Sequence, residues 1–126
     1  NLFRFYFPRC KVYDLDRNTG DSLDWQFFNA MARYAGTQTP ERIRILKESS
    51  EIFDGRDLEP LIPTLRERVY ANRFNGIDKQ ITMLYSDVAY TVDGPMLPVK
   101  REEGWHYFDL LRGEELTPRS ADTAWR

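Results

Sequence analysis

Carboxylates are the residues whose number and spacing come nearest to a reactive site in this chain. Asp14 and Asp16 flank Leu15, and Asp21 and Asp24 follow closely. Hydrolysis of a glycosidic bond takes two carboxyl groups facing each other across it, roughly 5 to 9 Å apart. Carboxylates two residues apart in a loop can both point at a ligand. Tyr13 and Trp25 offer rings on which a sugar face stacks. The plainer reading of the same residues is a solvated loop whose Asp side chains form turns and cap a helix. Residue type favours that plainer reading. Tyr13, Asp14, Asp16 and Trp25 therefore stand as substrate-binding candidates only, and no catalytic residue is assigned.

The other reactive residue types are isolated. His106, the sole histidine, lies between Trp105 and Tyr107 in an expected strand, so its side chain points away from theirs. A general base needs an orienting partner and a nucleophile, and no serine with elbow-like flanking glycines is present. Cys10 is the single cysteine, which excludes an internal disulfide and leaves no zinc-binding spacing. No metal site and no cofactor is expected. The seven glycines form neither a phosphate loop nor a dinucleotide fingerprint and read as turn residues. Arg66, Arg68 and Arg73 with Tyr70 could form a basic–aromatic patch, but surface arginines beside a strand are the simpler expectation.

Charge narrows the partners further. The 18 basic and 20 acidic residues give a net charge of −2, which creates no long-range field for nucleic acid or an anionic membrane. Neither is expected as a partner. The chain also lacks a run of roughly 20 apolar residues that would span a bilayer, and it lacks a basic-then-apolar signal peptide. With 41% hydrophobic residues and 14% aromatics in 126 residues, it has enough apolar side chain for one modest core or pieces of two. It opens on Leu2-Phe3-Arg4-Phe5-Tyr6-Phe7 with no leader before it. A cut inside a strand of a longer protein is the expectation from that start.

The elements that would position these residues change character near Arg66. Before it, apolar residues recur at helical spacing; after it, they alternate or cluster in short runs separated by Asn75-Gly76, Ser86-Asp87, Asp93-Gly94 and Gly113. Leu2 to Phe7 predicts a short strand stopped by Pro8. Asp21 or Ser22 caps a first helix with Leu23, Phe27, Phe28, Met31, Tyr34 and Ala35 on one face and Gly36 at its stop. Thr39, Pro40 and Glu41 open a second helix with an Ile45, Leu46, Ile52 and Phe53 stripe, ended by Gly55. Its Arg42, Arg44 and Lys47 among Glu41, Glu48 and Glu51 read as a salt-bridged outer face. Pro60 and Pro63 make a stiff connector. Strands are expected at Val69–Phe74, Gln80–Tyr85, Ala89–Val92, Met96–Val99 and Trp105–Leu110. Asn75-Gly76 is a hairpin-turn dipeptide, since both residues tolerate positive φ. Ile81, Met83 and Tyr85 alternate with Thr82 and Leu84, as in a strand buried on one side. The class is α+β.

The order of segments resembles the carboxyl-terminal part of bacterial TIM-barrel glycoside hydrolases with a small β-sandwich after the barrel. Leu2-Phe3-Arg4-Phe5-Tyr6-Phe7-Pro8 resembles a late barrel strand. Phe27-Phe28-Asn29-Ala30-Met31 resembles the next helix. Pro40-Glu41-Arg42 through Pro60-Leu61-Ile62-Pro63-Thr64-Leu65-Arg66 resembles the last helix and the exit from the barrel. Tyr70-Ala71-Asn72-Arg73-Phe74, Ile81-Thr82-Met83-Leu84-Tyr85 and Thr91-Val92-Asp93-Gly94-Pro95 are similar to opening strands of the sandwich. His106 to Leu116 resembles a strand–turn–strand hairpin within it.

The resemblance implies two amphipathic helices from the end of a (β/α) barrel, residues 1–66, followed by an antiparallel β-sandwich-like sheet, residues 67–126. It implies a carbohydrate-active parent whose catalytic carboxylates lie on barrel strands outside this chain. The chain would close the barrel and support sugar binding, without catalysis of its own. Active residues of such barrels sit at the carboxyl ends of strands, which singles out the loop from Arg9 to Asp16. The alternative is a self-contained α+β module that binds a ligand or a protein, with both helix stripes buried on its own sheet. Association through exposed apolar helix faces would mark the first reading. A small independent hydrolase using Asp14 and His106 is a third option, and no spacing supports it.

Overall fold

The computed structural model describes residues 20–30 and 38–120, with the side chains of residues 20–22 left aside. The first strand expected from the sequence, Cys10 and the Tyr13–Asp16 loop all lie outside the described residues. What is described is a mixed α+β fold with three helices and two small antiparallel sheets.

Helix α1 spans Gly20–Phe28, so Asp21 and Ser22 fall inside its first turn instead of preceding it. It stops at Phe28, short of the expected Ala35. The Asn29 N–H donates to the Trp25 carbonyl at 3.2 Å, and the Ala30 N–H closes a tighter turn on Phe27 at 2.9 Å. Ala30 sits at φ 48°, a left-handed conformation that ends a right-handed helix. The expected stripe residues Met31, Tyr34 and Ala35, and the stop at Gly36, are outside the described residues.

The second helical region keeps its expected start. Helix α2 spans Pro40–Glu48, with Pro40 in the first turn and the Thr39 hydroxyl accepting from the Arg42 N–H at 3.4 Å. At Ser49 (φ −117°, ψ 23°) the backbone leaves helical geometry, and α3, Ser50–Phe53, resumes. The apolar stripe survives the break: Ile45, Ile52 and Phe53 are buried, and Leu46 packs against them.

Part of the expected connector is a strand. Strand β1, Leu58–Glu59, pairs antiparallel with β2, Val69–Asn75, which pairs antiparallel with β3, Gln80–Ser86. Register places Tyr70, Asn72 and Phe74 opposite Tyr85, Met83 and Ile81, on the face that the helices cover. Phe53 meets Phe74 edge-on at 5.0 Å, and Phe28 lies 5.6 Å from Tyr85. Phe27, Phe28, Ile45, Ile52, Phe53, Phe74, Ile81 and Met83 form one core between helices and sheet.

Asn72 is the polar member of that face. It is 5% exposed, yet its amide donates to the Phe28 carbonyl at 3.3 Å and its oxygen accepts from the Leu61 N–H at 3.1 Å. One side chain thus satisfies a carbonyl at the end of α1 and the N–H of a connector residue held at φ 49°.

The hairpin turn differs from the dipeptide reading. Asn75 stays in β2 opposite Gln80, and Gly76 to Lys79 form a four-residue loop closed by Gly76 N–H to the Lys79 carbonyl at 2.8 Å. Neither Asn75 nor Gly76 has positive φ. Glycine is required for space: a Cβ there would lie 2.8 Å from the Lys79 carbonyl and 3.0 Å from Ile52 Cγ1.

Beyond β3, two expected strands are absent. Residues 89–92 and 96–99 are irregular. Pro95 and Pro98 remove ladder donors on either side of Met96, whose carbonyl instead accepts a single bond from Leu65 N–H at 2.8 Å. The expected Trp105–Leu110 strand shrinks to β4, Tyr107–Asp109, paired with β5, Glu114–Leu116. The Asp109 carboxylate accepts from the Leu111 and Arg112 N–H groups at 3.0 and 3.1 Å, and Gly113 at φ 71° completes the turn. Arg44 ties this outer hairpin to α2 through the Leu110 carbonyl at 3.3 Å. Among the described residues, no helix is long and apolar enough to cross a membrane.

Candidate functional site

The open end of the β2–β3 pair gathers the side chains best suited to hold a ligand. Arg68, just before β2, stands at φ 59°, a conformation that a non-glycine residue adopts only when its surroundings hold it there. Asp87, just after β3, does the holding. Arg68 Nε donates to Asp87 Oδ1 at 2.9 Å, and Arg68 Nη2 donates to the Asp87 carbonyl at 3.1 Å. The backbone closes the same ring, with Asp87 N–H to the Arg68 carbonyl at 3.3 Å.

Aromatic rings line the cluster. The Tyr70 hydroxyl donates to Asp87 Oδ2 at 3.4 Å, and its ring stacks on Tyr85 with centroids 6.4 Å apart. Tyr85 in turn rests on Phe28, so the row runs from the core to solvent. Tyr70 and Tyr90 are exposed. The hydrogen bond that Arg68 donates to Asp87, then the charge of that carboxylate, raises the Arg68 pKa above the ordinary value, with smaller contributions from Tyr70 and Tyr90. The result is an exposed aromatic face beside a fixed guanidinium–carboxylate pair. Such a surface can stack a ring and exchange hydrogen bonds with hydroxyl or carbonyl groups.

Of the residues expected at a substrate site, only Trp25 is described. It lies on α1, 40% exposed, and its carbonyl accepts from the Asn29 amide at 2.9 Å. Tyr13, Asp14 and Asp16 lie outside the described residues. Asp24, next to Trp25, is bound to Arg42 at 2.6 Å, and Arg42 also lies over the Phe27 ring at 5.0 Å. That pair latches α1 to α2, together with Gln38 Nε2 donating to the Leu23 carbonyl at 2.9 Å.

His106 takes a structural partner. Its Nδ1 lies 2.8 Å from Glu115 Oε1 across the outer hairpin, and both side chains are exposed. Tyr107 turns away as the strand alternation requires, its hydroxyl donating to the Lys100 carbonyl at 2.7 Å. Among the described residues, no three of His, Cys, Asp and Glu assemble as a metal ion would need.

The arginines do not form one patch. Arg73 reaches Glu59 at 3.4 Å, away from Arg68 and Asp87, and Arg66 lies against Gly94. On α2, Arg44 pairs with Glu48 at 3.1 Å, as the outer-face reading expects. Asp87 was legible only as a turn residue after Ser86. Its place opposite Arg68 follows from the length of the hairpin loop, which a dipeptide motif does not report. Compared with models of protein families, with curated proteins and with solved structures, the chain matches none.

Proposed function

We propose that this chain is the carboxyl-terminal supporting part of a carbohydrate-active, glycoside-hydrolase-like protein. Its helical half closes a barrel, its antiparallel half begins a sandwich, and it assists sugar binding without hydrolysing the sugar. The observation that carries the reading is the outer hairpin. Trp105, Phe108, Leu110, Leu111 and Leu116 are all exposed on or beside two strands of three residues each. A two-stranded hairpin is marginal alone, and a sheet bearing large apolar side chains is stabilised by a second layer packed over it. The segment resemblance supplies the carbohydrate. The Tyr70–Arg68–Asp87 cluster supplies a surface with the aromatic face and paired polar groups that a sugar uses.

One observation favours a second reading, a self-contained α+β binding module. The apolar helix residues Phe27, Phe28, Ile45, Ile52 and Phe53 are buried against the chain's own sheet. A single experiment separates the two. The chain is melted with a dye that reports exposed apolar surface, then assayed for binding and hydrolysis across a panel of oligosaccharides. The supporting-part reading expects dye binding, oligosaccharide binding without hydrolysis, and about tenfold weaker binding in Tyr70→Ala, the worth of one stacking contact. A dye-silent chain with one sharp transition would move the module ahead. Glycoside hydrolysis by the chain alone would overturn the supporting role.

A further inference from the structure

Strand β3 has seven residues and, among the described residues, one neighbouring strand. It pairs with β2 on one side, and among the described residues no hydrogen bond reaches the backbone of its other edge. Proteins defend such edges with lysine, proline or a bulge. Gln80 to Ser86 contains no charged residue and no proline, and it runs in unbroken register with β2. An uncharged, proline-free strand of this length is a ready template for another strand.

We propose that this edge pairs antiparallel with the β3 edge of a second copy of the chain, about a two-fold axis at Met83, joining two three-stranded sheets into one of six. The sequence is self-complementary about that centre. Ile81 meets the other copy's Tyr85, an aliphatic–aromatic pair on the helix-covered face, and Thr82 meets Leu84 on the other face. Leu84, 45% exposed in the single chain, gains a cross-strand neighbour. One step beyond the uncharged strand, Lys79, whose Nζ donates to Ser49 Oγ at 3.4 Å, stands opposite Asp87 of the other copy, whose carboxylate also holds Arg68, and the symmetry repeats this opposite-charge contact at the far end. Any other register about this edge separates those charges or breaks the Ile81–Tyr85 pairing. The inference stands on β3 and the residues that flank it and does not depend on the carbohydrate reading.

Sedimentation of the full chain over a range of concentrations tests it, alongside hydrogen exchange of the β3 amides. A monomer–dimer equilibrium is expected, with the outward-facing β3 amides exchanging more slowly as concentration rises. Leu84→Lys and Leu84→Glu, each checked for an unchanged circular dichroism spectrum, are each expected to abolish the dimer, because the two Leu84 positions lie diagonally across the axis. Mixing the two variants is expected to restore it. Lys79→Glu should weaken association about fivefold. Phe108→Lys, on the outer hairpin, should leave it unchanged. A chain that is monomeric throughout, β3 exchange independent of concentration, or association lost in Phe108→Lys and kept in the Leu84 variants would overturn the proposal.

Discussion

Asn72 shows how much one buried polar residue holds in a small fold. It bridges α1 to the connector through the Phe28 carbonyl and the Leu61 N–H, with Asn29 Oδ1 a further partner at 3.5 Å. Replacing it by alanine strips both backbone groups of their bond and leaves no side chain to refill the site. An unsatisfied buried group costs about 1–3 kcal/mol and the Leu61 end lies nearer solvent, so Asn72→Ala is expected to lose about 2 kcal/mol in urea unfolding. Asn72→Leu fills the volume and leaves the same two groups unsatisfied, so it should recover little of the loss. A leucine variant as stable as the wild type would show that packing, and not hydrogen bonding, is what Asn72 contributes. The residue was visible in the sequence only as part of an expected strand. Nothing in an alternating pattern marks which polar residue sits on the covered face.

At the scale of elements, local signals are legible in this sequence and long-range ones are not. Thr39-Pro40-Glu41 opens α2 as expected because a cap and a fixed φ act within one turn. The inward alternation of Ile81, Met83 and Tyr85 holds because strand periodicity is local too. The hairpin register was not legible. Had Asn75-Gly76 formed a two-residue turn, Phe74 would face Ile77 and Arg68 would face Met83. The four-residue loop instead brings Arg68 to Asp87, so the candidate site exists only because of loop length. A slip of four keeps every side chain on its face, which is why burial was readable and the cluster was not. The strands expected at residues 89–92 and 96–99 failed for a related reason: pairing needs a partner, and apolar content does not supply one.

Gly76 tests the element directly, since loop and α3 meet there. Its Cβ would press on the Lys79 carbonyl and on Ile52, and a backbone carbonyl yields less readily than a side-chain end. Gly76→Ala is expected to cost about 1–3 kcal/mol by overpacking, read as a lower denaturant midpoint. Pairing Gly76→Ala with Ile52→Val should return part of that loss, because the valine lacks the Ile52 Cδ1 atom that lies 3.2 Å from the new methyl. Equal losses with and without the second change would place the whole strain on the loop carbonyl.

At the scale of the whole molecule, two parts of unequal cohesion share one chain. The helices and the β1–β2–β3 sheet enclose a common core. The outer hairpin is tied to the rest by Arg44 on the Leu110 carbonyl at 3.3 Å, with the Leu65–Met96 backbone bond at 2.8 Å anchoring the segment before it. Parts with few buried apolar contacts open at lower free energy than the core they hang from. A gap of about 3 kcal/mol corresponds to exchange about a hundredfold faster. We therefore expect the paired β4 and β5 amides to exchange about a hundredfold ahead of those between β2 and β3 under native conditions. Arg44→Ala should widen the gap, because it removes a side chain that pins the hairpin to α2. Equal rates for both sheets would mean that they open as one unit, and the exposed Trp105, Phe108 and Leu116 would then belong to a finished surface. If the chain supports a larger protein, the same amides should slow to the core rate once the covering layer is present. That gain in protection would identify the layer, because only a segment packed on the hairpin can produce it.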